Sequence, residues 1–239
     1  MVTLLLRLSG PLQAWGTDSK FETRNTQREP SKSGVIGMIA AAMGRGRNDP
    51  IADISSLKYG VRIDQKGTII RDYHTAHHPT DYIRAFVTNR FYLENGCFLV
   101  GLEGEEKILG DIDFAIKHPF YPLYLGRRSC PPSGQISLGL RDEELFDALR
   151  NEPWQASEWY RVQAPRKVSL EIVCDSVPGR SSMLVRDCPV SFSQERRSYG
   201  FRGVERILAG KVIENGDSTH RAPEDNKLDA IAEVMGEDK

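Results

Sequence analysis

Residues 28–44, R-E-P-S-K-S-G-V-I-G-M-I-A-A-A-M-G, constrain this chain more than any other stretch. Pro30 ends the preceding loop, Ser33 is placed to cap a helix, and Gly44 is placed to end one. Val35, Ile36, Ile39, Ala42 and Met43 recur near the 3.6-residue period, so the helix has an apolar side that needs a sheet to pack on. Gly34, Gly37 and three alanines keep side-chain bulk low, so another backbone can approach. The helix start gathers free N–H groups, the hydroxyls of Ser31 and Ser33, and Lys32, which together suit an anion. The competing reading is a capped core helix beside a surface lysine.

Around that helix the chain alternates between strand and helix signals. Residues 2–9 read as a buried strand, ended by Gly10-Pro11. A polar loop follows over 17–32, with Lys20, Arg24, Arg28 and Lys32 as a phosphate-facing rim. Past the helix come a short helix over 49–57, a strand over 58–64, a tight turn at 65–67 and a return strand over 68–73. From His74 to Asn89 no period holds; strand character returns at 90–93, and Glu94-Asn95-Gly96 is a hairpin turn before a strand over 97–102. An irregular excursion between paired strands reads as a projecting finger. A helix over 105–117, a strand over 120–125 and a stiff basic loop over 126–132 complete the series. The order strand, helix, hairpin, helix, strand predicts an α+β chain on the ferredoxin-like βαββαβ plan, with the basic loop after the last strand. Beyond it lie a short acidic helix over 141–151, strand material over 154–163 and 167–174, and a Ser/Arg-rich stretch over 180–199. We expect a first domain over 1–140, a β-rich extension over 141–212 packed on it, and an acidic, fraying tail over 213–239.

At 239 residues the chain can bury a sizeable core. No apolar run is long enough to span a bilayer, and the first residues lack a basic leader. The four cysteines are scattered without a C-x-x-C, which argues against zinc and disulfides and fits a reducing cytoplasm. The net charge of −1 hides an asymmetry. Residues 212–239 hold eight acids and three bases; the rest holds 29 bases and 25 acids, a net +4. A near-neutral whole therefore leaves room for a local cationic patch and a nucleic-acid partner.

Five constellations bear on chemistry. The K-S pair at 32–33 lacks the G-x-x-x-x-G-K-S spacing, so this is no ATPase loop. Tyr124, Arg127 and Arg128 stand on a Gly/Pro-stiffened turn, where guanidinium groups can grip phosphates or stack on bases. Gln13 and Trp15, at the end of the first strand, are displayed for stacking and hydrogen bonding, or else Trp15 caps the core. Arg71, Asp72, Tyr73 and His74 lead into His77, His78 and Asp81, whose spacing is not the helical H-x-x-x-H of a metal site. His74 could instead act as general base in metal-free RNA cleavage, with Arg71 or Lys66 as the stabilising cation. Residues 197–204, R-S-Y-G-F-R-G-V, echo an RNA-binding string imperfectly and lie outside the first domain.

Four pieces together resemble the CRISPR-associated Cas-five family of the RAMP superfamily, in its type I-E Cascade branch. They are L-R-L-S-G-P-L-Q-A-W-G at 6–16, P-S-K-S-G-V-I-G at 30–37, R-D-Y-H-T at 71–75 and Y-L-G-R-R-S-C-P at 124–131. The resemblance implies a ferredoxin-like domain with a protruding thumb, here about 74–95. It implies an RNA-binding subunit that caps the 5′ handle of crRNA, contacts the backbone subunit CasC, seats the large subunit CasA, and meets target DNA only through the complex. Carried over by motif, Gln13, Trp15, Ser31, Lys32, Ser33, Gly34, Tyr124, Arg127 and Arg128 would face the handle, with Tyr73 and His74 at the thumb's base; Arg24 and Arg28 of the polar rim are expected to bind RNA beside them. It implies no cofactor and no catalysis. A sister branch cleaves precursor RNA itself, so a metal-independent endoribonuclease is the alternative.

Overall fold

The structure is a computed structural model that describes residues 1–17, 23–78, 81–177, 179 and 182–220, with the backbone alone at 78 and 81–84. Lys20 and residues 221–239 of the expected tail lie outside the described residues. In chain order the elements are β1 (Val2–Ser9), β2 (Leu12–Gln13), β3 (Thr23–Arg24), α1 (Lys32–Ala42), α2 (Ala52–Ser55) and β4 (Lys58–Gln65). Then come β5 (Thr68–His78), β6 (Asp81–Glu94), β7 (Cys97–Gly104), α3 (Glu106–Lys117), β8 (Ser137–Arg141) and α4 (Leu145–Asn151). Last are α5 (Glu158–Gln163), β9 (Lys167–Asp175), β10 (Met183–Ser191) and β11 (Ser198–Glu214). The fold is mixed α+β, and no helix among the described residues is long and apolar enough to cross a membrane.

Seven strands form one curled antiparallel sheet in the order β10-β11-β9-β4-β7-β1-β8. Its centre is apolar on both faces, which the run L-L-L at 4–6 requires. Leu4, Leu6 and Leu8 meet Val35, Ile36 and Ile39 of α1 and Leu109 and Ile112 of α3. On the other face Leu5, Leu99 and Ile172 meet Leu145 and Leu149 of α4. Each such side chain contributes about 2 kcal/mol on burial.

β4 and β7 pair from Lys58↔Glu103 to Gln65↔Cys97. β5 and β6 carry the same two chain segments onward as a ribbon, from Thr68↔Glu94 to His77↔Ala85 and on to His78↔Asp81. The two are one long hairpin with a step. At the step Gln65 Nε2 donates to the carbonyl of Asn95 (2.5 Å), and Asn95 takes the left-handed φ of 56°. The turns at 65–67 and 94–96 therefore pass the chain between sheets instead of closing separate hairpins. Within the stretch 74–89, expected to be irregular, residues 74–78 and 81–89 are regular strand. Its alternation is silent in the sequence because neither face of the ribbon is buried along most of its length.

Two further expectations change. Residues 120–125 make no ladder, and the strand after α3 is β8. Pro119 and Pro122 lack the N–H a ladder needs, while Leu123 and Leu125 fill the core instead. The basic loop thus precedes the edge strand and does not follow it. Residues 158–163, expected as strand, are α5.

Beneath α4, Arg62 and Asp64 form a buried bidentate pair, Nε–Oδ1 and Nη2–Oδ2 both 2.7 Å. Arg62 also donates to the carbonyls of Leu149, Glu152 and Pro153 at the end of α4. Burial pushes the Asp64 carboxyl up, and Arg62 opposes it. Replacing Arg62 by Met leaves that carboxylate with the Gln155 N–H (2.6 Å) but without its buried counter-charge; the expected cost is about 3–5 kcal/mol, read as a fall in the urea midpoint.

Candidate nucleic-acid interface

Ser31, not Ser33, is the N-cap of α1, accepting from the N–H of Gly34 (3.3 Å). The helix start does attract an anion, and the chain supplies it. The N–H of Lys32 donates to Asp187 Oδ2 of β10 at 2.8 Å. The Lys32 ammonium turns inward to the carbonyl of Leu57 (2.8 Å) and to Asp175 (3.4 Å). Arg202 closes the group, pairing with Asp187 (2.6 Å) and Asp175 (2.7 Å). Burial lowers the Arg202 guanidinium and these carboxylates raise it further, so it is held firmly charged. Lys32 is 5% exposed. The assignment of the Lys32 ammonium and N–H to an external phosphate is therefore corrected: the internal carboxylates Asp175 and Asp187 take them.

Gln13 and Trp15 are corrected as well, since they are 0% and 1% exposed. Trp15 Nε1 donates to Gln13 Oε1 (2.8 Å), and Gln13 Nε2 donates to the carbonyl of Gly96 (2.7 Å). A β-carbon at Gly34 would sit 2.8 Å from the Trp15 ring, so that glycine is a packing requirement. The pair locks β2 to the step of the hairpin and offers no stacking surface.

The basic loop does reach this place. Ala14 N–H donates to Leu125 (3.0 Å), and Gly126, at φ 91°, lies so close to Ala14 that any β-carbon would overlap its carbonyl. Leu125 and Cys130 close the loop (2.8 Å). Arg127 is half-buried and points at protein: Nη1 to Phe91 O (3.0 Å), Nη2 to Arg24 O (2.9 Å) and Asn25 O (3.4 Å). Its guanidinium lies 4.7 Å from the centre of the Tyr92 ring. Burial pushes the Tyr92 phenol up, but the Ser129 hydroxyl and Arg127 outweigh it and bring the group below its ordinary value. Arg127 is thus a protein-binding arginine, whereas Arg128 is exposed and Tyr124 half-exposed.

On the ribbon, strand alternation sorts the residues. The pairs Asp72↔Arg90, His74↔Thr88 and Ile70↔Tyr92 share one face; Arg71↔Phe91 and Tyr73↔Asn89 share the other. β3 adds Arg24 beside Arg90. Arg28, Tyr73 and His74 are exposed, and Ser33 and Gly34 are partly exposed. Among the described residues no ion pair engages Arg24, Arg28, Arg71, Arg90 or Arg128. Arg90 was missed as a site residue, because the register that aligns it with Arg24 crosses 66 positions of sequence. His74 and Arg71 fall on opposite faces, and Lys66 pairs with Glu171 (3.5 Å), so the general base and its proposed cations do not converge. His77 lies on the face opposite His74, and the side chains of His78 and Asp81 are outside the described residues. The string at 197–204 opens β11, with Phe201 exposed beneath Arg186 (5.9 Å). A cleft of about 790 Å³ lies between the loop at 27–31 and β10–β11, and its Arg202 and Arg206 are both engaged by carboxylates.

The family model described as CRISPR-associated protein (Cas_Cas5) matches residues 3–205. The CRISPR system Cascade subunit CasD of Escherichia coli (strain K12) is 34% identical over 156 residues, 57% of this chain and 70% of that protein. A solved structure described as "Crystal structure of Cas protein" is 36% identical, with TM-score 0.69, covering 92% of this chain and 100% of that one. A chain of a "CRISPR RNA-guided surveillance complex" is 29% identical, with TM-score 0.74, covering 92% and 95%.

The corrected roles are separable by experiment. Trp15→Ala is expected to cost about 3–5 kcal/mol of stability. Its RNA affinity, measured well below the melting temperature and corrected for the folded fraction, is expected to match the parent. A loss of affinity in fully folded Trp15→Ala protein would return Trp15 to the interface.

Proposed function

The chain belongs to the CRISPR-associated Cas5 family, and from that premise we propose that it is an RNA-holding subunit of a type I-E Cascade surveillance complex. The observation that carries this reading is the 34% identity to Escherichia coli CasD, together with a family match over residues 3–205. In this reading the chain caps the 5′ handle of crRNA, contacts a CasC-type backbone subunit and seats a CasA-type large subunit. Target DNA is met through the complex, and the compartment is the cytoplasm.

The fold supports the reading at a finer level. The strand order β4-β7-β1-β8 with α1 and α3 on one face is what a ferredoxin-like RAMP domain needs. We read the ribbon as its thumb, inserted at the tip of the β4–β7 hairpin, and β9–β11 as the β-rich extension of a first domain ending near 140. The ribbon's unengaged arginines and exposed Tyr73 suit a single strand, which is held by phosphate contacts and stacked bases. A holder needs no general base, and the separation of His74 from Arg71 and Lys66 agrees with a non-catalytic role.

Incubation of the full chain with labelled CRISPR repeat RNA in EDTA tests this. Binding without cleavage is expected, with Arg128→Ala weakening it about tenfold, the loss of one charge-assisted contact. Cleavage abolished by His74→Ala would replace the holder with an endoribonuclease.

A further inference from the structure

A row of three charged residues crosses the base of the ribbon on one face. Arg24 of β3 stands beside Arg90 of β6, and Arg90 stands opposite Asp72 of β5. Two like charges on adjacent strands disfavour each other, so this register is costly without an anion between them. Asp72 offsets one positive charge of the two. Arg90 Nε is buried and has no hydrogen-bond partner among the described residues. Adjacent strands lie about 4.8 Å apart, which brings two guanidinium groups within reach of one phosphate.

The pairing that makes this row is short. β3 is two residues long and meets β6 only at Thr23↔Asn89 and Arg24↔Arg90. A ladder of that length does not hold itself. Arg127 supplies the missing attachment. Its guanidinium donates to the carbonyls of Arg24 and Asn25 on one side and Phe91 on the other, so it staples β3 to β6 beside the row. Its stack on Tyr92, which shares the face of Arg90, fixes the orientation of the staple.

We propose that Arg24 and Arg90 form a two-guanidinium clamp for one phosphate of a bound single strand, and that Arg127 is the positioning residue that assembles the clamp. The clamp's ligand rests on the RNA-holding reading; the staple does not. The two arginines of the basic loop then have different work, Arg127 inside the protein and Arg128 toward solvent.

The test uses the full chain and an eight-nucleotide oligouridine, with affinity measured across a salt series. Arg24→Gln and Arg90→Gln are each expected to weaken binding about tenfold, as expected for a charge-assisted contact. Because both grip one phosphate, the double variant falls well short of hundredfold. Its slope of log affinity against log salt drops by about 0.7, the value for one phosphate on a single strand. Arg127→Lys, measured without RNA, is expected to speed amide hydrogen exchange across residues 23–25; with RNA it matches Arg24→Gln, and combined with Arg24→Gln it adds nothing. Arg150→Gln, on α4, leaves binding unchanged. Parent-like binding by both single variants, or additive losses with a slope change near 1.4, would overturn the clamp while leaving the RNA-holding reading standing. A parent chain that ignores oligouridine at every salt concentration would overturn that reading and the clamp with it. Unchanged exchange in Arg127→Lys would overturn the staple alone.

Discussion

A carboxylate from the far end of the chain begins its first long helix. Asp187 accepts from the N–H of Lys32 and from Arg202, Arg202 also holds Asp175, and Asp175 takes the Lys32 ammonium. Two carboxylates and two cations close on one another around the start of α1. A buried charge deprived of its partner costs several kcal/mol, so the four members stand together. Three of them come from β9, β10 and β11, and those strands extend the sheet directly from β4. The helix that covers the sheet is thus seated by the strands that lengthen it. Glu29, just before α1, reaches Arg206 of β11 (2.7 Å) and carries the same seam outward.

The ribbon depends on a second, smaller set of contacts at its root. Gln13 ties β2 to Gly96 where the hairpin steps between sheets, and Gln65 ties β4 to Asn95 at the same step. The basic loop presses against Ala14 through Gly126, and its Arg127 crosses to β3 and β6. Sequence pieces at 6–16 and 124–131 therefore meet at the ribbon's root, and the piece at 30–37 touches them through Gly34 and Trp15. Most of what is distinctive in those pieces serves to build the root. What the basic loop leaves exposed is Arg128, one residue beyond the inward-turned Arg127.

Legibility followed burial. The strand at 2–9 was plain as a short apolar run, and the helix beginning near 32 and the helix at 106–117 because each writes its buried face as a period. The ribbon was opaque for the converse reason: exposed on both faces, it has no apolar alternation to write. Residues 120–125 looked like a strand because buried Leu123 and Leu125 alternate with polar neighbours, yet proline removes the donors a ladder uses. β8 was hidden by Gly139, at φ 88°, and by the bulge it faces at Leu5/Leu6. Of the interface, the basic loop and the ribbon were legible as places. Lys32, Trp15 and Arg127 were legible as special residues but not as internal ones, since a cation shows the same letter whether its anion is a phosphate or Asp187.

That ambiguity has a physical resolution. Every cation must be solvated, paired with a carboxylate, or turned onto carbonyls, and burial removes the first choice. Lys32, Arg62 and Arg202 took the second and third, which is why their neighbourhoods are closed and stable. Arg127 took the third, half-buried against the ribbon. The cations with no ion-pair partner among the described residues are then the informative ones, and several gather where the ribbon leaves the sheet. A chain of net charge −1 has enough acids to neutralise them. Leaving Arg24 beside Arg90, with Asp72 as the one acid in their row, keeps a local positive field at the price of some stability. A field so maintained is an argument for an anionic partner that neither the composition nor the motif count could make.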